Sequence, residues 1–135
     1  MRTAEIVTSF LEFGGKILIL KRSDKVSTYR GLWAAVSGSI ESGENPLESA
    51  AREIEEETGF RRNEFLLAKE GESFSFIDNE LKIRWVIHPF LFTTKTGKVR
   101  IDFEHREFRW IRPAELSNYQ TVPKLDESLL RVLGK

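Results

Sequence analysis

The most specific pattern in this chain lies in the stretch from residue 38 to residue 60, GSIESGENPLESAAREIEEETGF. Asn45 is a helix-capping residue, and Pro46 after it suits the first position of a helix. Apolar and small side chains then recur at helical spacing until Gly59, a residue suited to ending a helix. The sequence therefore predicts a helix that begins at Pro46 and ends before Gly59.

Three glutamates of this predicted helix, Glu53, Glu56 and Glu57, lie three and four residues apart and share one face. Each like-charge pair costs about 0.2–0.5 kcal/mol, so helix propensity alone does not favour the cluster. Arg52 offsets part of the repulsion, and Glu44 is placed to brace Arg52 across the preceding loop. A divalent cation would offset more, and carboxylate oxygens suit a hard ion such as Mg²⁺, whereas the alternative is a solvated acidic face.

The spacing of these residues resembles the Nudix box, a specific pattern that few unrelated chains match. The residues that carry the resemblance are Gly38, Glu44, Arg52-Glu53-Ile54, Glu56-Glu57, Gly59 and Phe60. The resemblance implies a Nudix-like α/β/α sandwich with a mixed central sheet, formed by a single domain over residues 1–135. It also implies hydrolysis of a phosphoanhydride bond in a nucleoside diphosphate linked to another moiety, a nucleoside triphosphate included, by water attack at phosphorus. Mg²⁺ is the implied cofactor, with Mn²⁺ as a substitute.

The resemblance also assigns roles to individual residues. The implied metal ligands are Gly38, through its backbone carbonyl, Glu53, Glu56 and Glu57. Arg52 orients the glutamates. Two carboxylates are candidates for the base: Glu53 on the helix, and Glu104 in the segment before Trp110. Glu53 is preferred as base or essential metal ligand because a helix places it rigidly, and Glu104 then takes an auxiliary catalytic role.

Candidate substrate contacts lie outside the box. Arg22 ends a predicted strand and Arg30 lies in the loop before Trp33, so we expect the two arginines to contact phosphates and Trp33 to contact the base. Residues 75–78 lack the Pro and the Tyr typical of family members that hydrolyse ADP-ribose and dinucleoside polyphosphates, respectively. The pair Leu32-Trp33 resembles members that act on nucleoside or pterin triphosphates.

The sequence patterns on both sides of the box predict mostly strands. A hairpin is predicted from Glu5–Phe13 and Lys16–Arg22, because Gly14-Gly15 between them suits a tight turn. Further strand-like segments and one closing helix follow the same patterns: Leu32–Val36, Phe65–Phe76, Lys82–Thr94, Phe108–Ile111 and the helix Asp126–Leu133. Phe74, Phe76 and Trp85, like Trp33, could also stack on a base, although core packing is expected for most of these aromatic side chains. This order predicts a mixed sheet with helices packed on its faces.

The composition fits one globular domain of 135 residues, with 40% hydrophobic and 31% charged residues. Basic and acidic residues number 21 each, so the overall charge gives no attraction to nucleic acid or anionic lipid. The chain has no Cys, which excludes disulfides and thiolate chemistry, and no segment suggests a membrane span. We expect a cytoplasmic protein whose partner is a small nucleotide or nucleotide derivative. The sequence is also compatible with a homodimer. Two alternative functions remain: a non-catalytic nucleotide-binding or regulatory module, and an interaction domain.

Overall fold

The computed structural model describes residues 1–133, which form one mixed eight-stranded sheet with an α-helix on each face. The elements are β1 (Arg2–Phe13), β2 (Lys16–Arg22), β3 (Trp33–Ala34), β4 (Val36–Ser39), α1 (Pro46–Thr58), β5 (Phe65–Glu70), β6 (Phe74–Asp78), β7 (Ile83–Thr94), β8 (His105–Ile111) and α2 (Leu125–Val132). Two 3₁₀ helices, Arg62–Glu64 and Pro113–Asn118, connect them.

Strand β1 organises the sheet. It pairs in parallel with β7 along almost its whole length, and antiparallel with β2 and with β4. Strand β2 also pairs with β3 and β8, while β5 and β6 pair with successive parts of β7. The mixture of parallel and antiparallel pairs confirms the predicted mixed sheet.

Alternate residues of the central strands form two cores on opposite faces of the sheet, as the period of two requires. Helix α1 buries Ala50 and Ile54 in the first core, against side chains that include Val7, Leu11, Leu18 and Leu20. Helix α2 buries Leu125, Leu129 and Val132 in the second core, against side chains that include Phe10, Ile17 and Ile19. This layering confirms the predicted α/β/α sandwich.

The segment Phe65–Phe76, predicted as one strand, forms two strands, β5 and β6. Opposite this segment, β7 contains Pro89, which has no N–H to donate to a neighbouring strand. The β5 ladder accordingly ends at the pair Glu70 and Phe90, and the β6 ladder begins at the pair Phe74 and Ile87. The predicted strand Leu32–Val36 is likewise divided between β3 and β4, because β3 pairs with β2 whereas β4 pairs with β1.

Both ends of α1 have the geometry that the sequence predicts. The Asn45 side chain accepts a hydrogen bond of 2.9 Å from the backbone N–H of Glu48, which caps the first turn. Gly59 adopts a left-handed conformation with φ of 75°, and its N–H donates to the carbonyl of Glu55. The predicted helix from Pro46 to the residue before Gly59 is confirmed.

Among the described residues, no helix combines the length and the apolar character that a membrane crossing requires.

Replacing Asn45 with Ala is expected to lower the free energy of unfolding by about 1 kcal/mol, because the first turn of α1 loses its side-chain acceptor. Urea unfolding followed by circular dichroism measures the change. Asn45→Asp is the control, since an aspartate caps a helix equally well and should leave stability near that of the parent. Equal stability of the Ala and Asp variants would contradict a capping role for Asn45.

Candidate active site

A cleft of about 590 Å³ opens between α1, the sheet and the loop that joins β2 to β3. Its lining includes most of the sequence-predicted site: Arg22, Gly38, Arg52, Glu53, Glu56 and Glu104. The floor is formed by residues of β1, β6 and β7, and further walls come from the β2–β3 loop and from α2. The structure thus brings Arg22 and Glu104, which are 82 positions apart in the chain, to one cleft, a result that local sequence patterns do not supply.

The three glutamates of α1 differ sharply in exposure. Glu56 is exposed, Glu53 is 8% exposed, and Glu57 is 1% exposed. Glu53 and Glu56 line the cleft, whereas Glu57 does not and is buried. The acidic face of α1 therefore points partly into the protein. The alternative of a solvated acidic face would require all three glutamates to point toward water.

Arg52 connects the carboxylates around the mouth of the cleft. Its Nε donates to Glu44 Oε2 at 2.8 Å and its second terminal nitrogen to Glu44 Oε1 at 3.0 Å, a two-point contact that confirms the predicted brace. Hydrogen bonds from Arg52, then from Ser49, lower the pKa of Glu44 to about 2. The remaining nitrogen of Arg52 lies 3.1 Å from Glu53 Oε2 and 3.5 Å from Glu56. Arg52 thus supplies positive charge between the two cleft-lining glutamates.

Glu57 is a buried carboxyl with an incomplete set of partners. Its Oε1 accepts a 3.4 Å hydrogen bond from the backbone N–H of Ser37 and lies 3.7 Å from Nε2 of His105. Its Oε2 is buried and has no hydrogen-bond partner among residues 1–133. Burial raises the pKa of Glu57 well above its usual value, and the neighbouring Glu53 adds to the effect. An unpartnered buried carboxylate oxygen is costly, and a bound proton or a bound cation would each relieve that cost.

The donor set at this point fits a hard divalent metal. The Glu53 carboxylate lies against Gly38, Glu57 accepts from the neighbouring N–H of Ser37, and Glu56 lines the cleft beside Glu53. With the backbone carbonyl of Gly38, these carboxylates are oxygen donors of the type that such an ion prefers. A Cβ at Gly38 would collide with the Glu53 carboxylate, so glycine leaves the space beside β4 that this carboxylate occupies. Within residues 1–133, no three His, Asp or Glu side chains already stand as a complete metal-ligand group.

The three predicted substrate contacts fall in different places. Arg22 lines the cleft, and its guanidinium donates from Nε to the backbone carbonyl of Thr28 at 3.0 Å. Arg30 does not line the cleft, and its Nε donates to the carbonyl of Val26 at 2.6 Å. Trp33 is 6% exposed and packs in the α2-side core. The structure thus brings Arg22 to the site but not Arg30 or Trp33.

Trp33 is held in the core by neighbours that sequence reasoning did not connect with it. Its ring meets Tyr119 edge-on with centroids 5.4 Å apart, and the guanidinium of Arg109 lies 5.4 Å from its centroid. A large aromatic side chain on a buried strand gains more from packing than from exposure.

The segment before β8 places one predicted and one unpredicted residue near the site. Glu104 lines the cleft, and its backbone carbonyl is fixed by a 2.8 Å hydrogen bond from the N–H of Ser23. His105 is buried, and its Nδ1 lies 3.0 Å from Asp102 Oδ1 while its Nε2 faces Glu57. The adjacency of Asp102, Glu104 and His105 in the sequence could have indicated that His105 lies near the site. Only the fold shows that His105 faces Glu57.

The comparisons with known proteins agree with this geometry. The NUDIX domain family matches residues 1–133. A nucleoside triphosphatase, NudI, of Escherichia coli O139:H28 is 30% identical over 129 residues, covering 88% of this chain and 89% of that protein. A MutT NUDIX hydrolase from Burkholderia pseudomallei has a similar structure, with a TM-score of 0.79 and 22% identity over 98% of this chain and 99% of the other. A Caenorhabditis elegans Ap4A hydrolase also has this fold, with a TM-score of 0.74 and 15% identity over 97% and 94% of the two chains.

The sheet, the two covering helices and the acidic face of α1 define a Nudix-fold enzyme. The chain belongs to the Nudix hydrolase family, as the family match over residues 1–133 and the 30% identical relative show. It is a hydrolase that cleaves phosphoanhydride bonds. The predicted family and reaction class are thereby confirmed.

Replacing Glu57 with Gln is expected to raise the stability of the metal-free protein at pH 7–8. The pKa of Glu57 is higher in the folded protein than in the unfolded chain. Its ionised form therefore destabilises the fold above the folded pKa, and this penalty disappears as the pH falls to the unfolded value of about 4.3. The stability gap between variant and parent should accordingly shrink on acidification. Urea unfolding in a chelator at several pH values measures it.

Glu80→Gln, a change in the exposed turn after β6, is the control and should show no comparable pH-dependent gap. A Glu57→Gln protein that is less stable than the parent at pH 8, with a gap that widens on acidification, would contradict the burial penalty.

Proposed function

We propose that this protein hydrolyses nucleoside triphosphates with the help of Mg²⁺, or of Mn²⁺ in its place. The observation that carries the proposal is the unpartnered, buried Oε2 of Glu57 beside Glu53, which lines a cleft that also holds Arg22. The acidic groups suit a divalent ion, and the arginine suits the phosphates. The triphosphate assignment is supported by the 30% identical relative, a nucleoside triphosphatase, and by the pair Leu32-Trp33.

The proposed ion is held by the carboxylates of Glu53, Glu56 and Glu57 and by the carbonyl of Gly38. When bound, it neutralises phosphate oxygens and stabilises the departing phosphate group. The chain's own residues prepare this arrangement. Helix α1 fixes the three carboxylates on one rigid face, and Arg52, held by Glu44, fixes the side chain of Glu53.

Arg22 is the proposed phosphate contact of the protein itself. Among residues 1–133 its guanidinium makes no ion pair within 4 Å, although it lines the cleft together with Glu104. Burial lowers the pKa of Arg22, but an arginine keeps its charge at neutral pH. A fixed, charged and unpaired guanidinium facing the cleft is suited to an anionic substrate.

Glu53 is proposed as the base or an essential metal ligand, with Glu104 in an auxiliary catalytic role. Glu53 has a fixed position, since Arg52 contacts its Oε2 and Gly38 lies against its carboxylate. Glu104 lines the cleft, but among the described residues its side chain makes no hydrogen bond or ion pair. A general base must be held within reach of the attacking water, and the anchored Glu53 meets this requirement better.

The remaining assignments follow from the sequence and stay predictions. We propose that residues 1–135 act as a single Nudix domain in the cytoplasm, with a small nucleotide as the partner. The sequence predicts Arg30 and Trp33 as direct substrate contacts; because neither lines the cleft, we propose instead that they influence substrate binding indirectly. Self-association is measurable by sedimentation.

Hydrolysis of a nucleotide panel should require Mg²⁺ or Mn²⁺, and Glu56→Gln should lower kcat by about 100-fold or more. This is the scale of losing one charge-stabilising group from an active site. Initial rates on nucleoside triphosphates, sugar nucleotides, ADP-ribose and dinucleoside polyphosphates measure specificity, and ¹⁸O-water should label a phosphate product. Glu55→Gln, on the surface of the same helix beside Arg62, is the control and should retain activity. Full activity of Glu56→Gln at saturating metal would overturn the site assignment.

The base is tested by comparing Glu53→Gln with Glu104→Gln across pH at saturating metal. If Glu53 accepts the proton, its variant should lose most of its turnover together with the acidic limb of the pH–rate profile. Glu104→Gln should keep that limb and show a smaller loss. Collapse of Glu104→Gln beside a nearly unchanged Glu53→Gln would reverse the two roles.

A further inference from the structure

The side chain of His105 lies on the face of the sheet opposite to the one that regular alternation along β8 predicts. Arg109 lies over the Trp33 ring on the α2 side, and Glu107 forms an ion pair of 3.7 Å with Arg109. An undisturbed strand would place His105, two residues before Glu107, on this same side. Its ring instead faces Glu57 of α1, the helix that covers the opposite side.

A β-bulge accounts for this change of side. Lys21 of β2 pairs with Glu107, whereas the next residue, Arg22, pairs with His105, so the register of β2 and β8 leaves Arg106 without a partner. Such a bulge redirects the neighbouring side chains, and bulges are common beside active sites. Here the bulge turns His105 toward α1 and places it opposite Arg22, the proposed phosphate contact.

The His105 ring is buried between two carboxyl groups. Its side chain is 2% exposed, and its Nε2 faces Glu57 Oε1 at 3.7 Å. On the other side of the ring, Nδ1 lies 3.0 Å from Asp102 Oδ1, within hydrogen-bond distance. Because the Asp102 carboxylate is an acceptor, Nδ1 is the donor in this pair, and turning the ring would break the bond. Asp102 therefore fixes the orientation in which Nε2 points at Glu57.

Asp102 also fixes the turn that carries Glu104. The oxygen that contacts His105, Oδ1, accepts a 3.2 Å hydrogen bond from the backbone N–H of Glu104. Ser23, which follows β2, holds the same turn from its other side, since its hydroxyl donates to the carbonyl of Phe103 at 2.9 Å. One carboxylate thus sets the His105 ring and the Glu104 backbone relative to each other.

The Glu57 carboxylate has few other contacts that would hold it. Its Oε1 accepts a long hydrogen bond of 3.4 Å from the N–H of Ser37, and its Oε2 has no partner among residues 1–133. The last torsion angle of a glutamate side chain is broad, so a carboxylate held this loosely turns easily. The fixed ring of His105 beside Oε1 restricts that rotation.

We propose that His105, oriented by Asp102, is a positioning residue that holds the Glu57 carboxylate in place for the divalent ion. The inference rests on the proposed metal-dependent function and adds the residues that support one of its metal ligands. Removing a partner that orients a metal ligand changes metal affinity about 10- to 100-fold. His105 acts on the ion through Glu57 and contacts neither the ion nor the substrate.

The positioning role is tested by isothermal titration calorimetry with Mn²⁺ alone, in the absence of nucleotide. His105→Phe keeps a flat ring but loses both nitrogens, and its Kd for Mn²⁺ should rise about 10- to 100-fold. His105→Gln still presents an amide at the position of Nε2, near Glu57, whereas the shorter His105→Asn presents one only at the position of Nδ1, near Asp102. The Gln variant should therefore bind Mn²⁺ more tightly than the Asn variant. A side chain that only filled space would not separate the two amides in this order.

Variants of Asp102 test the orientation of the ring. Asp102→Asn keeps an acceptor oxygen for Nδ1 and should bind Mn²⁺ nearly as well as the parent, whereas Asp102→Leu should weaken binding. The matched control is His88→Phe, because His88 pairs with Glu5 outside the cleft lining and should leave the Kd unchanged. Circular dichroism in a chelator shows which variants are folded. If His105→Phe does not fold, the order of the two amides and of the two Asp102 variants decides.

Three results would overturn the positioning role. They are an unchanged Kd in His105→Phe, equal Kd values in His105→Gln and His105→Asn, and the absence of Mn²⁺ binding by the parent, since Glu57 would then hold no ion.

The two proposals fail in distinguishable ways. Absence of nucleotide hydrolysis with either metal, together with Mn²⁺ binding that depends on His105, would refute the proposed reaction and leave the positioning role standing. Metal-dependent hydrolysis with the same Kd for Mn²⁺ in the parent and in His105→Phe would refute the positioning role and leave the reaction standing.

Discussion

The burial of one carboxylate, that of Glu57, is the constraint on which the rest of the site depends. An acidic group that is 1% exposed and lacks a partner at Oε2 destabilises the metal-free fold, so other interactions must hold α1 in position. Ala50 and Ile54 do this by packing into the core on the same face of the sheet. Hydrophobic packing thus compensates for the clustered glutamates of α1, which both helix propensity and the loss of solvation disfavour.

Arg52 reduces the electrostatic repulsion among the glutamates at the mouth of the cleft. The guanidinium is shared among Glu44, Glu53 and Glu56, so one cation offsets the repulsion of several anions. Because Glu44 makes the closest, two-point contact, Arg52 is anchored on the loop side and presents only one nitrogen to the cleft-lining glutamates. That division lets the same residue be held by Glu44 and still offset the repulsion between Glu53 and Glu56.

Sequence reasoning succeeded where the information is local. The ends of α1 depend on Asn45 and Gly59, whose preferences act within one helical turn, and the shared face of the glutamates follows from helix geometry. It failed to anticipate the divided strand beside Pro89, since that break depends on a partner strand. It also placed Trp33 at the substrate, because aromatic side chains suit stacking and core packing equally well and only the fold decides between them.

The parallel pairing of β1 with β7 has a consequence for how the protein acquires its activity. Ala4 and Trp85 are neighbours in the sheet although about eighty residues separate them, so the central pair closes a long loop before it gains contacts. Chains dominated by such distant pairings fold slowly. During synthesis, β1 emerges from the ribosome long before its parallel partner exists, and its apolar central residues stay uncovered for that interval. The cleft floor, which β1 shares with β6 and β7, therefore cannot form until most of the chain has been synthesised.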